Sequence, residues 1–447
     1  MDSGFCCATM EYMKRTLVMA GGGTKGIYEC GVIKALKELG KDQFDCIIGV
    51  SVGALNATLL VQNQFERLEN MYENIASDQF VNGFLPSDMN VSTLISQRQE
   101  IQEQISRYLK EKSLDITPFY HMVDAYFDEK KFFSSMVDFG CVCARKKDHS
   151  GLFVTKDMMK GRGKDWLIAS ASAYPAFPVK EVDGEEYIDG GYYDNFPIDY
   201  ALRYGSDEIV GIELGENPLH PMYENKSSIT IIRPHAPLYS FLDFDVFKMY
   251  RAKLLGYNDT MKKYGRYAGE RYTFLPFDLP SYTDEYVRSL MILETTLKNA
   301  NMVNDRLFSE SVIADRLKEM TCRDFIDEKT YFFGMLDAVM ELCEFDESQV
   351  YDYGEVERII CALFEDASRA DYRFMDNFRP MELIDLIRSL DHKMMVRLLV
   401  HRHFYPDRII IPEKLIMTVT PFDIAQAELI ARMIRQVKEG KYESRKI

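Results

Sequence analysis

Phe44-Asp45-Cys46-Ile47-Ile48-Gly49-Val50-Ser51-Val52-Gly53-Ala54-Leu55-Asn56-Ala57-Thr58-Leu59-Leu60-Val61 is the stretch on which the fold turns. Up to Val50 it is apolar almost throughout, as strands covered on both faces are. From Val52 an apolar helix begins. Between them lies Gly49-Val50-Ser51-Val52-Gly53, a G-x-S-x-G at a strand-to-helix turn. In so tight a turn a side chain at 49 or 53 would collide with neighbouring backbone. The Ser51 hydroxyl is thereby held at a helix N-terminus, where the dipole favours developing negative charge. A serine directly ahead of a helix is also an ordinary N-cap, and the motif alone does not separate the two.

Upstream, Thr16 to Ala20 reads as a strand that runs into Gly21-Gly22-Gly23-Thr24-Lys25-Gly26. A helix is expected from about Thr24 to Leu39, with Ile27, Val32, Ile33, Leu36 and Leu39 at helical spacing and Gly40 as its stop. Strand, helix, strand, helix implies a parallel sheet with crossover helices. Bare glycine N–H groups ahead of a helix can hold an oxyanion or a phosphate. The string also satisfies G-x-G-x-x-G, but a dinucleotide site needs an acid at the end of the second strand. Asp42 and Asp45 lie at its start instead. A P-loop fails because Gly26, not Ser or Thr, follows Lys25.

Downstream, residues 77–113 interrupt the alternation and read as a lid or a plain surface insertion. The sheet resumes at 138–146, followed by a helix at 165–174 and the turn Tyr174-Pro175-Ala176-Phe177-Pro178. Val179 to Ile188 reads as a hairpin across Asp183-Gly184. It ends in Asp189-Gly190-Gly191, where the Asp is either a projecting functional carboxylate or an ordinary turn residue. Strands follow at 208–214 and 228–232. Beyond about residue 240 the pattern turns helical, at 243–265, 284–320, 328–344, 355–369, 380–401 and 422–438.

The glycine string, the elbow and Asp189-Gly190-Gly191, in that order and spacing, resemble the patatin-like phospholipase family. The resemblance extends through Ala169-Ser170-Ala171-Ser172-Ala173-Tyr174-Pro175-Ala176-Phe177-Pro178 and to Asn195 and Pro197. It covers about residues 15 to 215. It implies an α/β fold, a patatin-like three-layer sandwich with a mostly parallel central sheet. The helical C-terminal region matches nothing assignable. The expected organisation is a flexible lead at 1–13, a patatin-like catalytic domain at 14–275 and a helical region at 276–447. The implied chemistry is a Ser-Asp dyad acting through an acyl-enzyme, with Ser51 as nucleophile and Asp189 as general base. The loop glycines Gly21, Gly22, Gly23 and Gly26 would form the oxyanion hole, chiefly through the N–H groups of Gly22 and Gly23 with help from Val52. Gly49 and Gly53 shape the elbow, Gly190 and Gly191 the aspartate turn, and Lys25 helps hold the loop.

None of the seven histidines, His121, His149, His220, His235, His392, His401 and His403, sits in a glycine-punctuated loop at a strand end. A Ser-His triad is therefore disfavoured, and the pH–rate profile is expected to lack a base limb near 6.5 from histidine. His401-x-His403 lacks acids or thiols at ligand spacing, so neither a metal nor any cofactor is expected.

The 447 residues suit two to three domains, and 47% hydrophobic with 28% charged content suits a globular chain. The net charge of −16 argues against nucleic acid and against electrostatic attraction to anionic membranes. No apolar run is long enough to span a bilayer, no signal peptide is read, and Asp2 excludes N-myristoylation. Nine cysteines without Cys-x-x-Cys fit a reduced cytoplasmic chain. The expected partner is an acyl-lipid substrate, with a membrane surface as one place of encounter. Two other functions stay open: a carboxylesterase for small soluble esters, and a scaffold whose C-terminal helices bind a protein.

Overall fold

Eight strands form one mixed sheet: β1 (Arg15–Met19), β2 (Cys46–Val50), β3 (Asp138–Arg145), β4 (Gly151–Thr155), β5 (Lys180–Val182), β6 (Glu185–Asp189), β7 (Glu208–Ile212) and β8 (Ile229–Ile232). The computed structural model describes residues 13–73, 116–279, 286–293, 295, 312–321, 325–366, 390–406 and 421–438. Hydrogen-bonded neighbours link in the sequence β5-β6-β3-β2-β1-β7-β8, with β4 also paired to β3. The run β3-β2-β1-β7-β8 is parallel throughout, whereas β4, β5 and β6 pair antiparallel.

The apolar sequence of the central strands matches their position. Leu17, Val18, Met19, Ile48 and Val50 have no exposed surface, so helices cover both faces of the sheet in a three-layer α/β arrangement. Helices α1 (Ile27–Glu38) and α2 (Val52–Val61) follow β1 and β2 as the alternation requires. The first helix starts three residues later than its sequence spacing suggests. Gly23 takes a left-handed φ of +60°, and a 3-10 turn at Gly23–Gly26 precedes Ile27. Strand β4 was not expected. It follows the charged turn at Arg145-Lys146-Lys147-Asp148 and is only half-covered, which hides its period.

The chain divides into two compact units, Met1–Met261 and Lys262–Ile447. The division lies ahead of residue 275. Tyr272 and Phe274 are buried in the core of the second unit, and Thr273–Phe274 pairs with Val350–Tyr351 there. That unit is built from helices such as Glu328–Leu342, Tyr353–Glu365, His392–Phe404 and Pro421–Lys438. Asp327, Asp352 and Asp391 each cap one of them by accepting a backbone N–H three residues on, at 2.7, 3.0 and 2.7 Å. The candidate lid at 77–113 lies outside the described residues. Among the described residues no helix is long and apolar enough to cross a membrane.

Candidate active site

Two strand ends meet on one edge of β3. Strand β2 pairs with β3 up to Val50 opposite Val142. Strand β6 arrives from the other direction and pairs Asp189 with Cys143, the next residue along. Strand β4 occupies the opposite edge through Gly140 to Ala144, so β2 and β6 must share the same one. One residue of strand rises about 3.3 Å. The residue after β2, Ser51, and the last residue of β6, Asp189, are therefore brought together by pairing alone. The junction is so close that a Cβ on Gly190 would lie 2.1 Å from the Val142 carbonyl oxygen and 3.0 Å from Val50 Cγ1.

Ser51 has φ 52° and ψ −123°, a conformation that costs a non-glycine residue about 1–3 kcal/mol. The surroundings enforce it. A Cβ on Gly49 would stand 2.4 Å from the Gly53 carbonyl carbon and oxygen, and one on Gly53 would stand 2.5 Å from the Met19 oxygen. The Ser51 N–H donates to Ser170 Oγ at 3.1 Å, and Ser170 Oγ donates to the Val142 carbonyl at 2.7 Å. Ser51 occupies the N-cap position of α2, yet its side chain makes no capping hydrogen bond. Its hydroxyl is near enough to the Asp189 carboxylate to hold that group's pKa down.

Asp189 is buried and held at two points. Its N–H donates to the Ser172 carbonyl at 2.9 Å, and its Oδ1 accepts the Gly191 N–H at 2.8 Å. Burial pushes its pKa up to about 6, the nearby Ser51 hydroxyl and the Gly191 N–H holding back part of the rise.

The glycine string lies against this pair. Gly21, Gly22 and Gly23 line the same cavity as Ser51 and Asp189. The Gly21 N–H is engaged with the Asn195 carbonyl at 3.3 Å, and Asn195 Nδ2 returns a bond to the Gly21 carbonyl at 3.0 Å. Gly21 thus serves by its missing side chain, since a Cβ would approach Asn195 Oδ1 to 2.4 Å. Gly26 is not at the cavity wall. It is buried behind the loop, where a Cβ would meet the Tyr72 hydroxyl and Val52. The amide of Thr24 is held by the Phe241 carbonyl at 2.8 Å. Burial lowers the Lys25 pKa, and Glu216 partly opposes this.

Sequence reasoning did not assign Ser170, Ser172 or Phe241 to the site. The signal for the first two was present: two serines in an otherwise apolar helix end, Ala169-Ser170-Ala171-Ser172-Ala173, with no solvent to face. Ser170 and Ser172 have 0% and 1% exposure. Phe241 reaches the loop across more than two hundred residues of sequence and left no local signal.

The cavity measures about 260 Å³. One side carries Ser51, Asp189, Asn195 and the glycines. Leu55, Met71, Tyr72, Phe119, Met122 and Phe177 form an apolar side. No histidine is among its described lining residues. His220 pairs with Asp194 at 3.2 Å, His235 with Asp259 at 3.1 Å, His392 with Asp423 at 2.6 Å and His403 with Glu428 at 3.3 Å. His401 is buried, and His121 and His149 are exposed. Among the described residues no group of three or more His, Cys, Asp or Glu is placed to hold a metal ion.

Residues 17–202 match the family model described as patatin-like phospholipase. Neuropathy target esterase sws of Drosophila melanogaster is 25% identical over 210 residues, 44% of this chain and 13% of that one. The cUMP-AMP-activated phospholipase of Escherichia coli is 24% identical over 211 residues, 42% of this chain and 58% of that one. Lysophospholipase NTE1 of Debaryomyces hansenii is 25% identical over 206 residues, 44% and 12% of the two chains. The matched segment thus spans less than two thirds of each of these relatives. The crystal structure of VipD from Legionella pneumophila overlays with a TM-score of 0.33 at 16% identity, covering 94% of this chain and 90% of that one.

Proposed function

We propose, for a chain whose residues 17–202 are a patatin-like phospholipase domain, that it hydrolyses acyl esters of lipids with Ser51 as nucleophile and Asp189 as general base. The observation that carries this reading is an elbow serine, freed from capping its own helix, sharing one cavity wall with a buried carboxylate. The cavity around that pair has no histidine among its described lining residues.

Ser51 Oγ attacks the ester carbonyl carbon while Asp189 takes its proton. The carbonyl oxygen becomes an oxyanion beneath the N–H groups of Gly22 and Gly23, with that of Val52 beside them. The intermediate collapses when the carbon–oxygen bond to the alcohol breaks and the alcohol leaves with the proton from Asp189. Water then attacks the acyl-enzyme, giving its proton to Asp189, and the fatty acid departs as Ser51 Oγ regains that proton. A carboxylate near 6 is about a hundredfold stronger a base than one at 3.8. Orientation of Ser51 supplies the rest. The apolar wall from Leu55 to Phe177 accepts the acyl chain.

Every described residue of the cavity wall belongs to the unit that ends at Met261, so catalysis is assigned there and a separate role to the helical unit. Six described cysteines are free thiols, which fits a reducing, cytoplasmic setting. Labelling with a fluorophosphonate probe tests the dyad. The expected result is modification at Ser51, none in Ser51→Ala and slow modification in Asp189→Asn. Labelling of Ser51→Ala at an undiminished rate sinks the assignment.

A further inference from the structure

The helix Val246–Lys263 begins a few residues after the cavity wall ends. Phe241 and Leu242 line the cavity, and Phe241 is also 42% exposed. Its carbonyl is fixed to the glycine loop by Thr24 N–H at 2.8 Å and Thr24 Oγ1 at 3.2 Å. Asp245 Oδ1 then accepts the N–H groups of Phe247 and Lys248 at 2.9 and 3.0 Å and starts the helix. One face of that helix is pressed onto α1. A Cβ on Gly256 would lie 2.1 Å from the Tyr28 oxygen, and one on Gly31 would lie 1.9 Å from the Lys253 oxygen. Met249 and Ala252 are buried on this face. The other face of the first turn is turned outward with apolar groups: Val246 at 63%, Phe247 at 86% and Tyr250 at 61% exposure. At spacings i, i+1 and i+4 they form one patch.

We propose that Val246, Phe247 and Tyr250 dock the protein onto a neutral lipid surface and present the cavity mouth to it. This rests on the hydrolase reading above and specifies where its substrate enters. Three observations favour a lipid surface over a protein. The patch lies five to nine residues along the chain from Phe241, an exposed apolar side chain that itself lines the cavity, so the entry for an acyl chain is close to it in sequence. Lys248, beside the patch, carries its counter-ion with it, its Nζ bound to Asp243 Oδ2 at 2.7 Å, so shallow insertion does not strip that cation alone of water. Its area is too small for a stable protein interface. Aromatic side chains bury roughly 150–250 Å² each, against about 1,200 Å² or more in specific complexes. The net charge of −16 opposes approach to anionic surfaces, which leaves zwitterionic ones.

The test uses the full chain and phosphatidylcholine vesicles. Binding is read by flotation in the Ser51→Ala background, which holds the lipid intact. Phe247→Glu is expected to weaken partitioning about tenfold or more. In the Ser51 background it is expected to leave hydrolysis of a soluble short-chain nitrophenyl ester unchanged. Phe247→Trp retains partitioning, and its emission moves to the blue on adding vesicles. The single native tryptophan, Trp166, is buried at 4% exposure and gives a steady background. Unchanged partitioning of Phe247→Glu overturns the proposal. So does an unshifted emission from position 247 while the protein floats with vesicles. A change in self-association by Phe247→Glu with vesicle binding intact also overturns it and assigns the patch to a second copy of the chain. If the wild type cleaves neither ester yet binds vesicles through Phe247, the docking surface stands and the hydrolase reading falls.

Discussion

Lowering the pH should silence the enzyme through Asp189, and the size of the effect follows from its burial. With a pKa of about 6, the free carboxyl is about 9% ionised at pH 5 and about 91% at pH 7. Because only the ionised form can take the Ser51 proton, kcat/KM for a soluble ester should rise roughly tenfold across that interval. An unperturbed aspartate at 3.8 would already be about 94% ionised at pH 5, and the same interval would give almost no change. The position of this limb overlaps the range of an ordinary histidine, so position alone does not name the base. Temperature and mutation do. Carboxyl ionisation has little enthalpy, so the limb should stay in place on warming, whereas an imidazole limb moves to lower pH. Each of the seven His→Gln variants should keep it. A flat profile between pH 5 and 7 would refute the raised pKa, and a limb abolished by one histidine substitution would refute Asp189 as base.

Ser170→Ala leaves the Ser51 N–H and the Val142 carbonyl without their partner, at a cost of about 1–3 kcal/mol. Ester kinetics should show kcat falling about tenfold or more with KM little changed, as expected when a strained nucleophile is mispositioned. Gly49→Ala drives a methyl to 2.4 Å from the Gly53 backbone and should cost on the order of 3 kcal/mol, read as a lower urea midpoint or loss of soluble protein. Met122→Trp fills part of the apolar wall and should lower kcat/KM for long-chain esters about tenfold while sparing acetyl esters, in a chain-length series. Asp189→Asn should raise the melting temperature at pH 7. A carboxyl whose folded pKa is raised favours the native state below its unfolded value near 3.9 and loses that advantage as pH rises through about 6. The gain at neutral pH is therefore up to about 3 kcal/mol and should vanish below about pH 4 in parallel melts.

The parallel core was legible because its signals are local. Strands such as Cys46–Val50 are apolar without alternation, and the helices behind them carry helical spacing. What the sequence could not supply were quantities set by distant chain. Strand β4 has no period of its own because one face is uncovered. The roles of the loop glycines depend on which N–H is already engaged, and Asn195 takes that of Gly21 from 174 residues away. The same holds for the raised pKa of Asp189. The sequence places an aspartate in a glycine turn, where solvent would keep it near 3.9, and only packing reveals that the turn is buried.

On the proposed dyad, that burial bears on how a carboxylate could serve where an imidazole commonly does. Where β2 and β6 end head-on along one edge of β3, Gly190 fills the junction, and Asp189 beside it is largely excluded from bulk solvent. Exclusion raises the pKa, which strengthens the base, and the same step destabilises the fold at neutral pH because the ionised form is disfavoured. Base strength and native stability at this residue are thus two readings of one desolvation, and a substitution that relieves one must weaken the other. A wetter variant makes the link testable. Val50→Thr sets a hydroxyl at the Gly190 junction, where Val50 Cγ1 now stands, and if it lowers the Asp189 pKa it should raise stability at pH 7 and move the kinetic limb to lower pH by the same free energy. Movement of one quantity without the other would separate them and remove burial as the common cause.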